Sequence, residues 1–269
     1  MDNNKIIIPF LKWAGGKRWL ISAYPDLLTV QFDRYIEPFL GSGAVFFHLA
    51  PDNAILADQN KDLIETYKAI KDDWRGVKKY LQGHHRNHSK RYYYEVRDSS
   101  PRTPRTRAAR FIYLNRTCWN GLYRVNLKGD FNVPLGTKTN VILESDNFEA
   151  VAALLKNVEL QATDFEKIID RAGQGDLIFV DPPYTVKHNL NGFIKYNETL
   201  FTWKDQIRLR DSVVRAKSRG ASVLLTNAYH NSVKSLYNGV GKQHRLKRNS
   251  VLAADSKNRK ECEELLVFL

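Results

Sequence analysis

The clearest chemistry in this sequence lies at Asp181, Pro182, Pro183 and Tyr184, which follow a predicted buried strand at residues 176–180. A proline lacks an N–H and fixes φ, so two acceptors, the Asp181 carboxylate and the Pro182 carbonyl, are held in a stiff geometry. Two adjacent acceptors suit an –NH2 group, because they hold both hydrogens while the nitrogen becomes cationic during attack. Tyr184 can stack on the ring that bears the amine. An ordinary turn also uses Asp and Pro, but the consecutive prolines favour an amine-binding site.

A second candidate is the glycine turn in EPFLGSG, where a strand ending at Glu37 is followed by Gly41, Gly43 and a helix. This pattern is typical of the first strand–helix turn of a nucleotide-binding sheet. Phe46 replaces the third glycine of the dinucleotide motif, so a ligand with one small charged group is favoured over a diphosphate. Asp58 ends the next strand, where its carboxylate can accept hydrogen bonds from both ribose hydroxyls.

The N-terminal stretch FLKWAGGK contains Gly-Gly-Lys but is not a phosphate-binding loop, because Leu11 and Arg18 break the required pattern. Its backbone can approach a ligand closely. Trp13 offers a flat packing surface, and Lys12 and Lys17 are cations.

The elements that position these residues alternate between short apolar strands and helices. Strands are predicted at 34–39, 53–57, 157–162, 176–180, 221–226 and 264–269. A helix is predicted over the stretch that follows Phe201, with Thr202 as its cap, Asp205 at its third position and Gly220 at its end. This alternation predicts an α/β fold with a mostly parallel, doubly wound sheet.

Residues 61–145 interrupt the alternation. Two helices are predicted there, at 61–74 and 103–117, followed by a hairpin over 122–136 that turns at Lys128-Gly129. We therefore expect a catalytic domain formed by residues 1–60 and 146–269, with residues 61–145 as a mainly helical insertion that carries the hairpin.

The net charge of +13 is concentrated in two blocks. Residues 75–128 hold 14 basic and 2 acidic side chains, and residues 215–260 hold 11 and 1. Such clustering indicates a polyanionic partner, and nucleic acid is favoured over a membrane because no lipid-facing amphipathic helix is evident. Cys118 and Cys262 form no paired motif, and no signal peptide or membrane span is predicted, so a reducing, cytoplasmic location is expected.

A metal site is not expected. His84, His85 and His88 lie in GHHRNHS, where no cysteine or carboxylate completes a tetrahedral set and where Gly, Asn and Ser favour a loop. No strand–turn–helix context indicates a Ser/His/Asp or Cys/His nucleophile either.

Together these stretches resemble the Dam-type DNA adenine-N6 methyltransferases, the D12 class with the DPPY motif. The shared landmarks are FLKWAGGK, EPFLGSG, ILAD, YLNRTCWNGLYRVNLKGDFNVPLG, DPPY and RKECEELLVF, in the order of the family. The resemblance implies a Rossmann-like sheet, S-adenosylmethionine as cofactor, no metal, and double-stranded DNA as partner. It implies that a flipped-out adenine receives the methyl group directly on N6, held by Asp181 and Pro182 and stacked on Tyr184.

The resemblance also assigns roles to further residues. The implied cofactor contacts are Trp13, Lys17, Glu37, Phe39, Gly41, Gly43, Asp58 and Asp181. The implied DNA contacts are Lys12, Arg116, Trp119, Asn120, Leu122, Arg124, Asn126 and Lys138, in a target-recognition insertion directed at GATC. A stacking Trp, a wedge Leu and a bidentate Arg suit the penetration and reading of a site. The sequence departs from the family at Thr137-Lys138, where relatives often carry Arg and an aromatic residue that bear on the outer base pair.

Two alternatives remain open at this point. The chain could methylate another amino group, on cytosine N4 or in RNA, although the NRTCWNGLYR stretch would then have no role. It could also be a non-catalytic DNA-binding protein on the same scaffold, although the intact DPPY and glycine turn speak against that.

Overall fold

The computed structural model describes residues 7–126, 129–185, 201–249 and 261–269. The described elements, in chain order, are α1 (Arg18–Ala23), β1 (Arg34–Glu37), α2 (Ala44–Leu49), β2 (Ala54–Asp58), α3 (Lys61–Asn87), α4 (Lys90–Asp98), α5 (Pro104–Thr117), α6 (Phe148–Leu155), β3 (Glu159–Ala162), α7 (Phe165–Ile169), β4 (Asp176–Val180), α8 (Trp203–Ser218), β5 (Ser222–Ala228), α9 (Asn231–Leu236), β6 (Lys242–Asn249) and β7 (Glu261–Phe268). These elements form a mixed α/β fold. Among them, no helix is both long and apolar enough to cross a membrane.

The chain divides into two compact units. Unit 1 comprises Met1–Leu28 and Leu40–Thr163, and unit 2 comprises Thr29–Phe39 and Asp164–Leu269. These limits reflect how densely each unit packs internally, and they differ from the functional division expected from the sequence. The division into a catalytic domain at 1–60 and 146–269 and an insertion at 61–145 therefore stays a prediction.

Unit 1 is mainly helical. Its strands β2 and β3 pair in parallel, and α3 packs against α5, α6 and β3. Local signals set the helix limits: Asn60 caps α3 by accepting from the Leu63 N–H, and Thr103 forms a capping box before Pro104, the first residue of α5. The backbone of α3 bends at Asp73, whose carboxylate accepts from the Gly76 N–H and so caps the second half of the helix.

Unit 2 contains a mixed sheet with the strand order β1-β4-β5-β7-β6. Strands β1, β4 and β5 are parallel, whereas β7 runs antiparallel to β5 and to β6. All five residues of β4 are buried, as the apolar run at residues 177–180 predicts, and the first of them, Asp176, is paired with Arg34. Thr202 and Asp205 form the predicted capping box at the start of α8.

The structure bears out each predicted strand to within a few residues, and it corrects two expectations. Strand β6 was not predicted, because its polar sequence KQHRLKRN lacks an apolar run; it is an outer strand of the unit 2 sheet, where charged side chains are favoured. The loop expected at residues 83–89 is wrong, since α3 continues to Asn87.

Aromatic packing explains why α3 continues through the histidine-rich stretch. The Nδ1 atoms of His84 and His88 lie 2.9 Å from the hydroxyls of Tyr92 and Tyr113, and the His84 ring stacks on Tyr113. Burial lowers the pKa of His84 to about 4. These rings form a packed cluster rather than a free histidine face.

The hairpin prediction is confirmed in the described residues on either side of its tip. Val125 and Phe131 form an antiparallel bridge, and the Asn126 N–H donates to the Asp130 carbonyl. The predicted turn residue Lys128 lies outside the described residues.

A buried guanidinium joins three separate segments of unit 1. Arg116, at the end of α5, is fully buried; it donates to the Phe10 carbonyl, to the Val141 carbonyl at 2.7 Å, and to both carboxylate oxygens of Asp146 at 2.6 and 2.7 Å. Asp146 in turn accepts from the Leu143 N–H. This bidentate pair and its carbonyl partners satisfy an otherwise costly buried charge.

Removal of one partner of this pair should be strongly destabilising. We expect Asp146→Ala to lower the free energy of unfolding by about 3–5 kcal/mol, because a buried guanidinium loses its counter-charge. Urea titration followed by circular dichroism measures this loss. Glu149→Ala is the matched control: it breaks the Arg75–Glu149 pair, whose side chains are 75% and 67% exposed, and should cost no more than about 1 kcal/mol. Equal losses in the two variants would contradict the prediction.

Candidate functional site

The glycine turn of unit 1 is a tightly bonded loop between Leu40 and α2. Gly41 and Gly43 both have left-handed backbone angles, φ +48° and +65°, which glycine adopts without a Cβ penalty. The Leu40 N–H donates to the Ala57 carbonyl, and the Gly43 N–H donates to the Leu40 carbonyl. The Tyr67 hydroxyl donates to the Gly41 carbonyl at 3.2 Å. The turn is therefore fixed to the strand that ends at Asp58.

The Asp58 carboxylate lies at the end of β2 and contacts this turn directly. One oxygen accepts from the Gly41 N–H at 3.1 Å, and the other accepts from the Asn60 N–H at 2.9 Å. Burial raises the pKa of Asp58, while these two N–H groups oppose the shift. Each carboxylate oxygen has a further lone pair, so the geometry leaves acceptor capacity for the hydroxyls of a ligand.

The N-terminal segment of unit 1 packs against the same turn. A Cβ on Gly41 would lie 2.6 Å from Trp13 Cδ1, so only glycine allows the indole to approach this closely. Gly15 has φ +78° with open space where its Cβ would be. The Lys17 side chain is buried, and its ammonium donates to the Gly15 carbonyl at 2.9 Å.

These unit 1 residues fit a nucleoside-like ligand that carries an amino-acid group. Asp58 supplies acceptors for a diol, Trp13 supplies a flat surface, Lys17 supplies a cation for a carboxylate, and Gly15 borders open space. S-adenosylmethionine has each of these complementary groups.

In unit 2, Glu37 and Phe39 are the expected cofactor contacts. Glu37 is buried and accepts from the Tyr35 hydroxyl at 2.9 Å. Burial, and then the Glu37 charge, raise the pKa of Tyr35 far above its usual range, so the hydroxyl stays a donor. The Phe39 ring packs on Phe165 and Phe201, with centroid distances of 5.3 and 5.7 Å.

The strand-end residues of unit 2 are held by a network that the sequence did not reveal. Asp181 follows β4 directly, and its Oδ1 accepts from the hydroxyl of Thr226 on β5 at 2.9 Å. The Pro183 carbonyl accepts from Gln206 Nε2, and Gln206 in turn accepts from Asn227 at 3.0 Å. Thr226, Gln206 and Asn227 are completely buried, so the backbone and carboxylate of this stretch rest on a rigid support.

Tyr184 is anchored through its hydroxyl. It donates to Glu264 Oε2 at 2.7 Å, and the second oxygen of Glu264 lies 2.8 Å from Arg248 Nε. Burial raises the pKa of Tyr184 well above its usual range, and the charges of Glu264 and Asp181 add to the effect. The phenol therefore stays protonated and keeps its ring in one orientation. A single acidic residue in the apolar stretch ELLVF was the only sequence signal for Glu264.

The residues expected to contact DNA fall into two groups. Seven of them are at least partly exposed: Lys12 in the N-terminal segment, and Trp119, Asn120, Leu122, Arg124, Asn126 and Lys138 on the hairpin or just before and after it. The Trp119 side chain is 52% exposed, and Arg124 Nε donates to Asn132 at 3.2 Å. Burial and the nearby charge of Lys138 lower the pKa of Lys12.

Arg116 is the exception. Its guanidinium is fully buried and is engaged by Phe10, Val141 and Asp146, so the structure does not present it to DNA. The contact expected from the resemblance is corrected here, because sequence position alone could not show that this cation has an internal counter-charge.

The Asp-Pro-Pro-Tyr stretch at a strand end, supported by buried polar groups, agrees with the amino-group methyltransferase that the sequence predicts. The comparisons with known proteins specify the class. The family model described as D12 class N6 adenine-specific DNA methyltransferase matches residues 13–252, and the chain belongs to this family.

Named relatives agree with this assignment. The chain is 36% identical over 278 residues to the type II methyltransferase M1.LlaDCHI of Lactococcus lactis subsp. cremoris, with 99% of this chain and 97% of the relative covered. It is 34% identical to the type II methyltransferase M.MjaIII of Methanocaldococcus jannaschii, with 97% and 98% covered. It is 31% identical to the DNA adenine methylase of Vibrio cholerae, with 96% and 95% covered.

The protein is therefore an adenine-specific DNA methyltransferase, and membership implies S-adenosylmethionine as methyl donor and DNA as substrate. This decides against cytosine N4, RNA and a purely DNA-binding role. Within the described residues, no group of three or more His, Cys, Asp or Glu side chains could hold a metal ion.

The close contact at Gly41 gives a testable expectation. Gly41→Ala should weaken S-adenosylmethionine binding by at least about tenfold, a loss of about 1.4 kcal/mol, because the added methyl group displaces Trp13. Isothermal titration calorimetry measures the affinity. Gly239→Ala is the matched control, since Gly239 has φ +74° and nothing within 4 Å of its Cβ position. It should show only the backbone strain of about 1–2 kcal/mol in stability, with unchanged cofactor affinity. Unchanged affinity in Gly41→Ala would exclude a role of this contact in binding.

Proposed function

We propose that this protein transfers a methyl group from S-adenosylmethionine to N6 of an adenine flipped out of duplex DNA, within GATC. The observation that carries the proposal is the support of the DPPY residues, in which Thr226 fixes Asp181, and Glu264 fixes Tyr184. A bound S-adenosylmethionine supplies an electrophilic methyl group. Trp13, Lys17, Gly41, Gly43 and Asp58 in unit 1 are the proposed cofactor-binding residues.

Glu37, Phe39 and Asp181 in unit 2 complete the proposed cofactor set.

The function of the DPPY residues is to hold the amine. The Asp181 carboxylate and the Pro182 carbonyl accept the two N6 hydrogens, which orients the nitrogen lone pair for attack. As the nitrogen becomes cationic, both hydrogen bonds become charge-assisted and strengthen, so they stabilise the transition state more than the ground state. The bond from sulfur to the methyl group would break as the N6–methyl bond forms, S-adenosylhomocysteine would be the leaving group, and the methylated nitrogen would then lose one proton to solvent.

Base flipping is proposed because the adenine amino group is paired within a duplex and cannot reach a strand-end pocket there. Tyr184 would stack on the flipped base. The anchored hydroxyl supports this role, because a ring held in one orientation loses little conformational entropy when the base arrives.

The recognition surface is proposed to consist of the exposed residues Lys12, Trp119, Asn120, Leu122, Arg124, Asn126 and Lys138. Trp119 would stack, Leu122 would act as an apolar wedge, and Arg124 would be a bidentate reader of a base edge. GATC rests on the resemblance of the hairpin to Dam-type enzymes. Modified-base sequencing of unmethylated genomic DNA after incubation with enzyme and cofactor tests base, atom and context together.

The amine-holding role predicts a loss of transfer without a loss of DNA binding. Asp181→Ala should reduce the single-turnover rate by at least about 10²–10³-fold, the cost of removing one preorganised hydrogen-bonding group, while duplex affinity changes little. Asp176→Ala is the control, because Asp176 begins the same strand and pairs with Arg34 at 2.7 Å; it should lower stability and leave the rate per folded molecule unchanged. Wild-type turnover by Asp181→Ala would overturn the mechanism.

The reading role of Arg124 predicts a change in specificity. Arg124→Ala should reduce discrimination at one base pair by about 1–3 kcal/mol, measured as the ratio of kcat/KM for GATC and for singly substituted sites. Arg91→Ala is a charge-matched control, because Arg91 is highly exposed on α4; it should leave that ratio unchanged. An equal loss on every sequence in Arg124→Ala would identify Arg124 as a phosphate contact instead.

A further inference from the structure

The N-terminal segment at residues 10–13 is held by the end of α5, more than a hundred residues away in sequence. Arg116 donates to the Phe10 carbonyl from Nε at 3.2 Å and from Nη2 at 2.8 Å. The Lys12 ammonium donates to the Arg116 carbonyl at 3.2 Å. The segment that carries Lys12 and Trp13 thus has its backbone bonded to a helix end that is itself fully buried.

Asn115 forms the most specific part of this attachment. Its Oδ1 accepts from the Lys12 N–H at 2.9 Å, and its Nδ2 donates to the Lys12 carbonyl at 2.8 Å. The amide therefore bonds both backbone groups of one residue, as a neighbouring strand would. Nδ2 also lies 3.4 Å from the Gly121 carbonyl, so the same buried side chain contacts the turn at Trp119–Gly121.

Lys12 and Trp13, which this attachment holds, contact two different parts of unit 1. On one side, Trp13 lies against Gly41 in the glycine turn. On the other side, the Trp13 ring stacks on Tyr123 at 6.2 Å with an interplanar angle of 16°. A Cβ on Gly121 would lie 2.8 Å from Lys12 Cδ. The segment is therefore in contact with the glycine turn and with the recognition turn at once.

We propose that Asn115 is a positioning residue that keeps Lys12, Trp13 and the turn at Trp119–Gly121 in one arrangement, so that cofactor binding and base discrimination depend on each other. The inference rests on the proposed function, which assigns Trp13 to the cofactor and Lys12 and Trp119 to DNA. Arg116 supports the same segment from Phe10 and takes a positioning role in place of a DNA contact.

The chemistry of the amide makes the proposal testable by an isosteric change. Asn115→Asp keeps an acceptor for the Lys12 N–H, but it loses the donor and turns a carboxylate oxygen toward the carbonyls of Lys12 and Gly121. Its effect should be a weaker affinity for S-adenosylmethionine without DNA and a reduced discrimination between GATC and singly substituted sites. Each effect is expected at about 2- to 30-fold, the range of coupling changes produced by single residues.

Thr117→Val is the matched control. Thr117 is completely buried on the same helix turn and donates its hydroxyl to the Tyr113 carbonyl at 2.7 Å. Both variants should lower the thermal midpoint, but only Asn115→Asp should change cofactor affinity and discrimination. If Asn115→Asp lowers the midpoint and leaves both quantities at the values of Thr117→Val, Asn115 is merely structural and the inference is overturned.

A measurement on the wild-type chain keeps the test valid if Asn115→Asp does not fold. Saturation with S-adenosylmethionine, without DNA, should slow hydrogen exchange of the backbone amides at residues 119–123 by at least about threefold, because Trp13 and Tyr123 are stacked. Unchanged exchange there, with slowed exchange at residues 40–43, overturns the coupling and leaves the proposed function intact. Absence of adenine methylation by the wild-type enzyme is the separate result that would overturn the proposed function.

Discussion

The burial of Arg116 is the constraint on which unit 1 depends. A guanidinium at zero exposure must have its N–H donors satisfied, and here a carboxylate and two backbone carbonyls do so. Those partners come from the N-terminal segment and from the stretch at residues 141–146 that precedes α6, while Arg116 itself lies at the end of α5. The charge therefore fixes where three segments meet, and Asn115 beside it fixes the register of Lys12. Lys12 and Trp13, which are proposed above to contact DNA and the cofactor, are therefore positioned by this buried polar centre.

In unit 2, buried polar side chains that bond to one another likewise hold the residues at the end of β4 in place. Glu264 is completely buried between the Tyr184 hydroxyl and the Arg248 guanidinium. Asn227 and Gln206 form a second buried pair beneath the Pro183 carbonyl. Such groups are costly to bury unless each has a partner, and in a satisfied network they hold one geometry. A site that holds an amine by two acceptors needs that geometry in advance, since positions set by flexible loops would lose their advantage in the transition state.

Much of the fold could be predicted from the sequence because its signals are local. The apolar run at β4 and the Thr202 cap of α8 each depend on a few adjacent residues, and both lie where expected. Strand β6 could not be predicted, because its pairing with β7 is a long-range property and its own residues are almost all polar or charged. The end of α3 was predicted as a loop because Gly83 and Ser89 suggest one, whereas ring packing on Tyr113 maintains the helix.

The residues of the candidate site also differ in whether a local sequence signal identifies them. Asp181 to Tyr184, Gly41 and Asp58 could be proposed from the sequence because each lies at or shortly after a predicted strand end, where its residue type indicates a chemical role. The supporting residues Thr226, Glu264 and Asn115 were not, because a buried polar side chain is recognised only by the partner that it meets. The resemblance placed Arg116 with the DNA contacts for a related reason: the sequence shows that a cation is present, but it does not show whether the counter-charge is internal or belongs to a ligand.

The turn at Trp119–Gly121 is held in an unusual backbone conformation by its neighbours. Asn120 has a left-handed φ of +56° and Gly121 follows at +66°, a conformation that Asn tolerates better than most residues but that still stores strain. It persists because the surrounding backbone is bonded: the Trp119 N–H donates to the Pro134 carbonyl, and the Gly121 N–H donates to the Cys118 carbonyl. A strained turn held in this way keeps the Trp119 ring half exposed in water instead of letting it collapse onto the protein. This exposed ring is the one proposed above to contact DNA, and the backbone hydrogen bonds of the turn fix its position in advance.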